Sequence, residues 1–184
     1  MKIRTDRLWL RPIKEEDQIK LRWWRNTSKE NFFDNKEISE EAQTKWFKKY
    51  TSLPPGTDLM FIITTKAGEE VGTVAIYEID TVDRKAKIGR VLILEKFRGK
   101  NYAQEAVEGL CEFADETLRI RSLLVETDML NDDAIAVYHR TGFRTIGHHF
   151  IRVANTYLYR VIVIMERINP NFDIKKPMRV VEVE

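Results

Sequence analysis

Residues 58 to 94 contain three β-rich runs separated by two short turns, and no other stretch constrains the fold so tightly. The first two, in "DLMFIITTKAGEEVGTVAIYEID", are rich in Ile, Val, Thr and aromatic residues and break at Ala67-Gly68, the signature of a hairpin. The third, "KAKIGRVLIL", follows a turn at Asp83-Arg84. A meander of this kind demands a sheet with a covered face, so the flanking segments must supply helices.

They do so in a definite order. Upstream lie a short strand in "RLWLRPI" (7–13) and a helix in "KEEDQIKLRWWRN" (14–26), whose Ile19 and Trp23 are expected to face the core. Ser39 is placed to cap a second helix, "EEAQTKWFKKY", with Ala42, Trp46, Phe47 and Tyr50 on one face. Downstream, residues 102–118 carry Ala103, Ala106, Leu110, Phe113 and Ala114 at helical spacing. A strand "SLLVETD" (122–128), a short helix from Asn131 to Thr141 stopped by Gly142, and two runs pairing around Ala154-Asn155 complete the chain. The order β, α, α, three strands, α, β, α, β, β is an α+β layout with one mixed sheet.

At 184 residues, 43% of them hydrophobic, one domain is the default. Its expected span is 1–168, with 169–184 a tail that is either an edge strand or a loosely attached end. The tail's alternating "MRVVEVE" would, as an edge strand, let two copies pair as a homodimer. A formal net charge of +2 singles out neither nucleic acid nor a membrane surface as partner. No apolar run approaches the roughly 18 residues of a membrane span, and the first residues are charged, so a cytoplasmic protein is expected. With one cysteine, Cys111, and three histidines, neither a disulfide nor an ordinary metal site is expected.

Two motifs carry chemistry. In "LEKFRGKNYAQEA" (94–106) a strand breaks into a basic turn and at once into a helix, an arrangement that presents backbone N–H groups to an anion, most naturally a phosphate. In "NDDAIAVYHRTGF" (131–143) Asn131 caps a helix that buries Ala134, Ile135 and Tyr138. Taken singly, the first is equally well a solvated turn and the second a packed tyrosine.

Together they resemble the GNAT superfamily of N-acetyltransferases. Arg98, Gly99, Lys100, Tyr102 and Ala103 fit the family's phosphate-loop pattern, Asn101 standing where a glycine is usual, and Asn131, Ala134-Ile135, Tyr138 and Gly142-Phe143 fit its later motif. The resemblance implies a central mixed, mostly antiparallel sheet of about seven strands flanked by about four helices. It implies that the amides of Arg98, Gly99, Lys100, Asn101, Tyr102 and Ala103 hold the pyrophosphate of acetyl-CoA. Asn131 would bond the pantetheine arm, and the backbone of Val91, Leu92 and Ile93 would meet its amides where that strand splays from residues 122–128. One N–H there would polarise the thioester carbonyl.

The chemistry constrains the catalysts. An alkyl amine of pKa about 10 needs a base before it can attack, and the leaving thiolate is best protonated by an acid that stays neutral to high pH. Tyr138 suits the acid. Glu126 is the first choice of base, with Glu78, Asp80, Asp128 or water as alternatives. Asn101 tolerates the left-handed backbone that a glycine position can require, so its departure from the pattern is mild.

For the acceptor amine, residues 13–60 are decisive, with Trp24, Arg25, Asn26, Phe33 and Glu78 as candidate contacts. "WWRN" followed by "ISEEAQTKWFKKY" resembles the branch acting on nucleotide-linked amino sugars of the pseudaminic-acid type, in which Arg22, Arg25, Lys45, Lys48 and Lys49 would meet a diphosphate. "WRN" also occurs in relatives acting on ribosomal-protein N-termini and on polyamines. A polyamine would demand acidic residues at the cleft. A module that binds acyl-CoA without transferring it is the alternative of a different class.

Overall fold

The computed structural model describes residues 1–29, 36–153 and 156–176. Among the described residues eight strands form one sheet in the order β1-β2-β3-β4-β5-β6-β8-β7. They are β1 (Ile3–Arg4), β2 (Leu8–Pro12), β3 (Asp58–Thr65), β4 (Glu70–Asp80), β5 (Lys85–Ile93), β6 (Ser122–Asp128), β7 (Arg144–Arg152) and β8 (Tyr159–Ile168). Every neighbouring pair is antiparallel except β5 with β6. The helices are α1 (Gln18–Thr27), α2 (Glu40–Ser52), α3 (Tyr102–Glu116) and α4 (Asp132–Arg140). The α+β expectation holds, with one more strand than the seven anticipated; β1 is only two residues long and carries no periodicity of its own.

Local signals fix the helix starts. Ser39 accepts the Ala42 N–H at 3.1 Å and caps α2; Asn131 accepts the Ala134 N–H at 3.1 Å and caps α4. After α4 the chain turns at Gly142, whose φ of +90° is the left-handed conformation glycine adopts at low cost. Ala154-Asn155, where the last hairpin is expected to turn, and the "MRVVEVE" segment lie outside the described residues. The first tail residue, Asn169, is buried and donates its side-chain amide to the Ile120 carbonyl at 3.1 Å.

The core divides across the sheet. One face packs α3 and α4 through Ala106, Val107, Leu110, Phe113, Ala114, Tyr138 and Phe143. The second cluster gathers Ile13, Leu21, Trp24, Phe47, Met60, Ile62, Ala75 and Leu92 beneath α1 and α2. Here the expected face of α1 is wrong. Ile19 and Trp23 are 77% and 60% exposed, whereas Leu21 and Trp24 are 6% and 5% exposed. On α2 Phe47 is buried and Trp46 and Tyr50 pack against the same cluster as expected, but Ala42 is exposed and Gln43 is buried.

An ionic network sets that face of α1. Asp17, 1% exposed, accepts both Arg11 guanidinium nitrogens at 2.8 and 2.9 Å and the Lys14 N–H at 2.8 Å. Lys20 and Arg11 also reach Glu70 at the start of β4, at 2.9 and 2.6 Å. Burial alone would push the Asp17 carboxyl up, but these donors outweigh it and hold the group at about 2. The network pins the start of α1 to β2 and β4, which turns Trp24 inward.

Candidate active site

The strands β5 and β6 pair only through Lys85↔Ser122, Ala86↔Leu123 and Lys87↔Leu124. Beyond that point they part, and the gap opens into a cleft of about 1450 Å³. A bulge sets the shape of the β5 side. The β4–β5 register shifts between Thr73 and Ala75, opposite which Arg90 takes a φ of 51°. Thr73 donates its hydroxyl to the Arg90 carbonyl at 2.8 Å, and the Arg90 guanidinium is held by both Asp58 oxygens at 2.6 and 2.7 Å. The strand is thus clamped just before Val91, Leu92 and Ile93, all of which line the cleft.

At the end of β5 the chain enters α3 through the basic turn. Gly99 and Asn101 both have positive φ, 75° and 59°. Asn101 sits at ψ 21°, in the left-handed region that the sequence made conditional on a glycine-like position. The Arg98 N–H bonds back to the Glu95 carbonyl at 3.1 Å, and the first bond of α3 runs from the Glu105 N–H to the Asn101 carbonyl. Between them, the N–H groups of residues 99–103 have no acceptor among the described residues. That row of donors at a helix N-terminus is a cradle for an anion. Gly99, Asn101, Tyr102, Ala103 and Arg98 face the cleft; Lys100 is turned away, with its ammonium 5.5 Å from the centre of the Phe97 ring.

The backbone geometry yields a direct test of the cradle. Asn101→Gly should leave CoA affinity unchanged in titration calorimetry. Asn101→Val should raise the CoA Kd about 10-fold, since a β-branched residue in this conformation costs roughly 1–2 kcal/mol.

Opposite the loop, α4 carries Tyr138. The residue is 6% exposed, its ring meets Phe143 edge-on at 5.7 Å, and it borders the cleft. No described residue hydrogen-bonds its hydroxyl. Burial, with a smaller contribution from neighbouring Tyr77, pushes the phenol well above its ordinary value, so it stays protonated. Asn131 also lines the cleft while its side-chain oxygen caps α4.

Glu126 on β6 faces the same cleft, 3.8 Å from the Lys87 ammonium, which in turn pairs with Glu78 at 2.9 Å. Two carboxylates and a lysine thus cross three adjacent strands. The hydrogen bond it donates to Glu78 is the chief reason Lys87 is held above its usual value, against a smaller effect of burial. Lys87 and Tyr77 were not anticipated; the alternation in "KAKIG" places Lys85 and Lys87 on one face but gives no sign of acids opposite. The other candidate bases are committed elsewhere. Asp128 accepts the Leu130 N–H and the Arg160 guanidinium, and Asp80 accepts the Val82 and Asp83 N–H groups within a turn.

Of the candidate acceptor contacts, Trp24, Arg25 and Glu78 line the cleft. Asn26 spends both ends of its amide on the backbone of Ile38, at 3.0 and 2.8 Å, and joins α1 to the segment before α2. Phe33 lies outside the described residues. Among the described residues no group of three or more His, Cys, Asp or Glu side chains is arranged to hold a metal ion, and no helix is long and apolar enough to cross a membrane.

Comparison with known proteins agrees with this geometry. Spermidine N(1)-acetyltransferase of Escherichia coli K12 is 30% identical over 80 residues, which are 44% of this chain and 42% of that protein. The matched segment is therefore less than half the length of the curated relative. A Vibrio cholerae spermidine N-acetyltransferase, solved in complex with CoA and spermine, superposes with a TM-score of 0.79 at 18% identity, covering 90% of this chain and 98% of that one. A probable acetyltransferase superposes with a TM-score of 0.74 at 20% identity, covering 92% and 97%. These two likenesses establish the fold. The family model of the acetyltransferase (GNAT) domain matches residues 7–144, three quarters of the chain, and the protein belongs to that family.

Proposed function

We propose that the protein transfers the acetyl group of acetyl-CoA to a primary amine of a polyamine by direct attack within a ternary complex. The observation that carries the transfer is the convergence on one cleft of the 99–103 amides, the parted β5–β6 strands and a buried, protonated Tyr138. In this reading the loop holds the pyrophosphate and Val91, Leu92 and Ile93 meet the pantetheine amides. Tyr138 protonates the departing thiolate. Glu126, or Glu78 on the far side of Lys87, takes the proton from the ammonium of the acceptor, directly or through water. Holding amine and thioester together contributes as much as either proton transfer, on the order of 7–11 kcal/mol for well-oriented reactants.

The choice of polyamine over amino sugar rests on charge and on relatives. Glu78 and Glu126 give the cleft two carboxylates against a single lysine at the point where an ammonium would enter. Of the five cations that would have met a nucleotide diphosphate, Arg25 alone lines the cleft. Arg22 pairs with Glu40 at 2.6 Å, and Lys45, Lys48 and Lys49 stand on the exposed face of α2, away from the cleft lining. Two of the three relatives described above are named for spermidine, and none for an amino sugar or a ribosomal protein.

Release of CoA should be followed with spermidine, a UDP-linked 4-amino sugar and a short peptide with a free N-terminus. Spermidine is expected to give a kcat/KM at least about 10-fold above the other two. Turnover confined to the amino sugar would overturn the acceptor assignment. Tight CoA binding without amine-dependent release would make the protein an acyl-CoA-binding module instead.

A further inference from the structure

The cradle for the cofactor does not stand on α3 alone. Arg7, in the turn between β1 and β2, reaches across 98 residues of sequence to the first turn of that helix. Its Nε donates to Glu105 Oε2 at 2.7 Å and its backbone N–H to Glu105 Oε1 at 2.6 Å, while Thr5 donates its hydroxyl to the same Oε1 at 2.6 Å. The Arg7 Nη1 donates to the Lys100 carbonyl at 3.1 Å, and the guanidinium lies 5.0 Å from the centre of the Tyr102 ring. One turn further along, a Cβ on Gly109 would come within 2.6 Å of Thr5 Cγ2. The β1–β2 turn therefore grips α3 on two successive turns.

Two physical consequences follow for an anion at the loop. A trans peptide is planar, with its C=O and N–H pointing in opposite directions. Tying the Lys100 carbonyl to Arg7 therefore aims the Asn101 N–H the other way, and it is one of the loop donors that lack an acceptor among the described residues. Glu105, moreover, is the one acid in the first turn of α3, where its charge competes with a phosphate for the positive end of the helix. Burial would favour its neutral form, but the bonds from Thr5 and Arg7 outweigh that and keep it ionised. Its charge must then be met by a cation, and Arg7 is the one in contact with it.

We propose that Arg7 is a positioning residue for the cofactor pyrophosphate, fixing the 99–103 loop through the Lys100 carbonyl and neutralising Glu105 beneath it. The proposal rests on the CoA reading above. Its test compares affinity for CoA with affinity for pantetheine, the fragment without the pyrophosphate, in four variants. Arg7→Ala should weaken CoA about 10-fold and leave pantetheine unchanged; Arg7→Lys should fall between. Glu105→Gln keeps an acceptor for Thr5 and for the Arg7 N–H, and should bind CoA as well as the parent or better. Arg7→Ala combined with Glu105→Gln should recover to within about 3-fold of the parent. Equal loss of CoA and pantetheine in Arg7→Ala, or a Glu105→Gln loss as large as that of Arg7→Ala, would reduce the contact to a plain structural anchor and overturn the proposal. Should Arg7→Ala fail to fold, Glu105→Gln and Arg7→Lys still decide it. A parent protein that binds no CoA would sink the cofactor reading itself, whereas a parent that binds and an Arg7→Ala that binds equally would sink this inference alone.

Discussion

Tyr138→Phe is expected to lower kcat about 100-fold while leaving the CoA Kd unchanged. The substitution removes one oxygen and keeps the ring that packs edge-on against Phe143 at 5.7 Å, so the helix and its core contacts should survive. What is lost is a proton donor, and general acid catalysis contributes on the order of 10²–10⁴-fold. The phenol's environment decides the form of the pH dependence. Burial raises its pKa above that of an ordinary tyrosine, so the acid form persists up to about pH 10 and beyond. The variant's deficit should therefore be constant between about pH 6 and 9. A deficit that grew with pH would mean that the phenolate, acting as a base, is the species at work. An unchanged kcat would remove Tyr138 from the reaction.

Much of this site was legible because its signals are local. A cap such as Ser39 or Asn131 bonds an N–H three residues away, so residue type and spacing are enough to find it. The left-handed backbone at Asn101 is likewise a property of one residue in one turn. The face of α1 was not legible in the same way. Ile19 with Trp23 and Leu21 with Trp24 both satisfy helical spacing, and the choice between them is made from other elements, by Arg11 and Glu70 holding Asp17 and Lys20 and by the apolar cluster of Ile13, Met60, Ile62 and Phe47. The Arg7–Glu105 and Lys87–Glu126 contacts join residues distant in sequence, and the Arg90 bulge depends on its clamp to Asp58. Substrate choice lay further out of reach still. The lysines of α2 suggest a diphosphate until the fold turns them outward, and the pairing of Glu78 and Glu126 about Lys87 on the cleft wall appears only once β4, β5 and β6 are side by side.

Gly72→Ala should be the most damaging small substitution outside the reacting groups. Gly72 lies in β4 between Ile63 of β3 and Ile93 of β5, in the middle of the sheet. A Cβ added there would fall 1.8 Å from the Leu92 carbonyl oxygen, 2.9 Å from its carbon and 3.1 Å from the Ile93 Cα. All three are backbone atoms, so no rotamer change relieves the overlap, and β5 must move away from β4 or the pairing must break. Overpacking that a core cannot absorb costs about 3 kcal/mol, which chemical denaturation will read as a lower midpoint. The displaced segment is Val91 to Ile93, the stretch proposed to carry the pantetheine amides and the thioester carbonyl. A shift of about 1 Å at such a point can lower the rate about 100-fold, so the fraction that folds should lose kcat/KM for acetyl-CoA to that extent. Gly68→Ala supplies the comparison. Gly68, unlike Gly72, has a positive φ, +90°, but nothing lies within 4 Å of its added Cβ. It should lose about 1 kcal/mol from backbone strain and keep its CoA affinity. A Gly72→Ala protein as stable as Gly68→Ala and as active as the parent would mean that β4 and β5 do not meet in this register, and the proposed path of the cofactor between β5 and β6 would go with it.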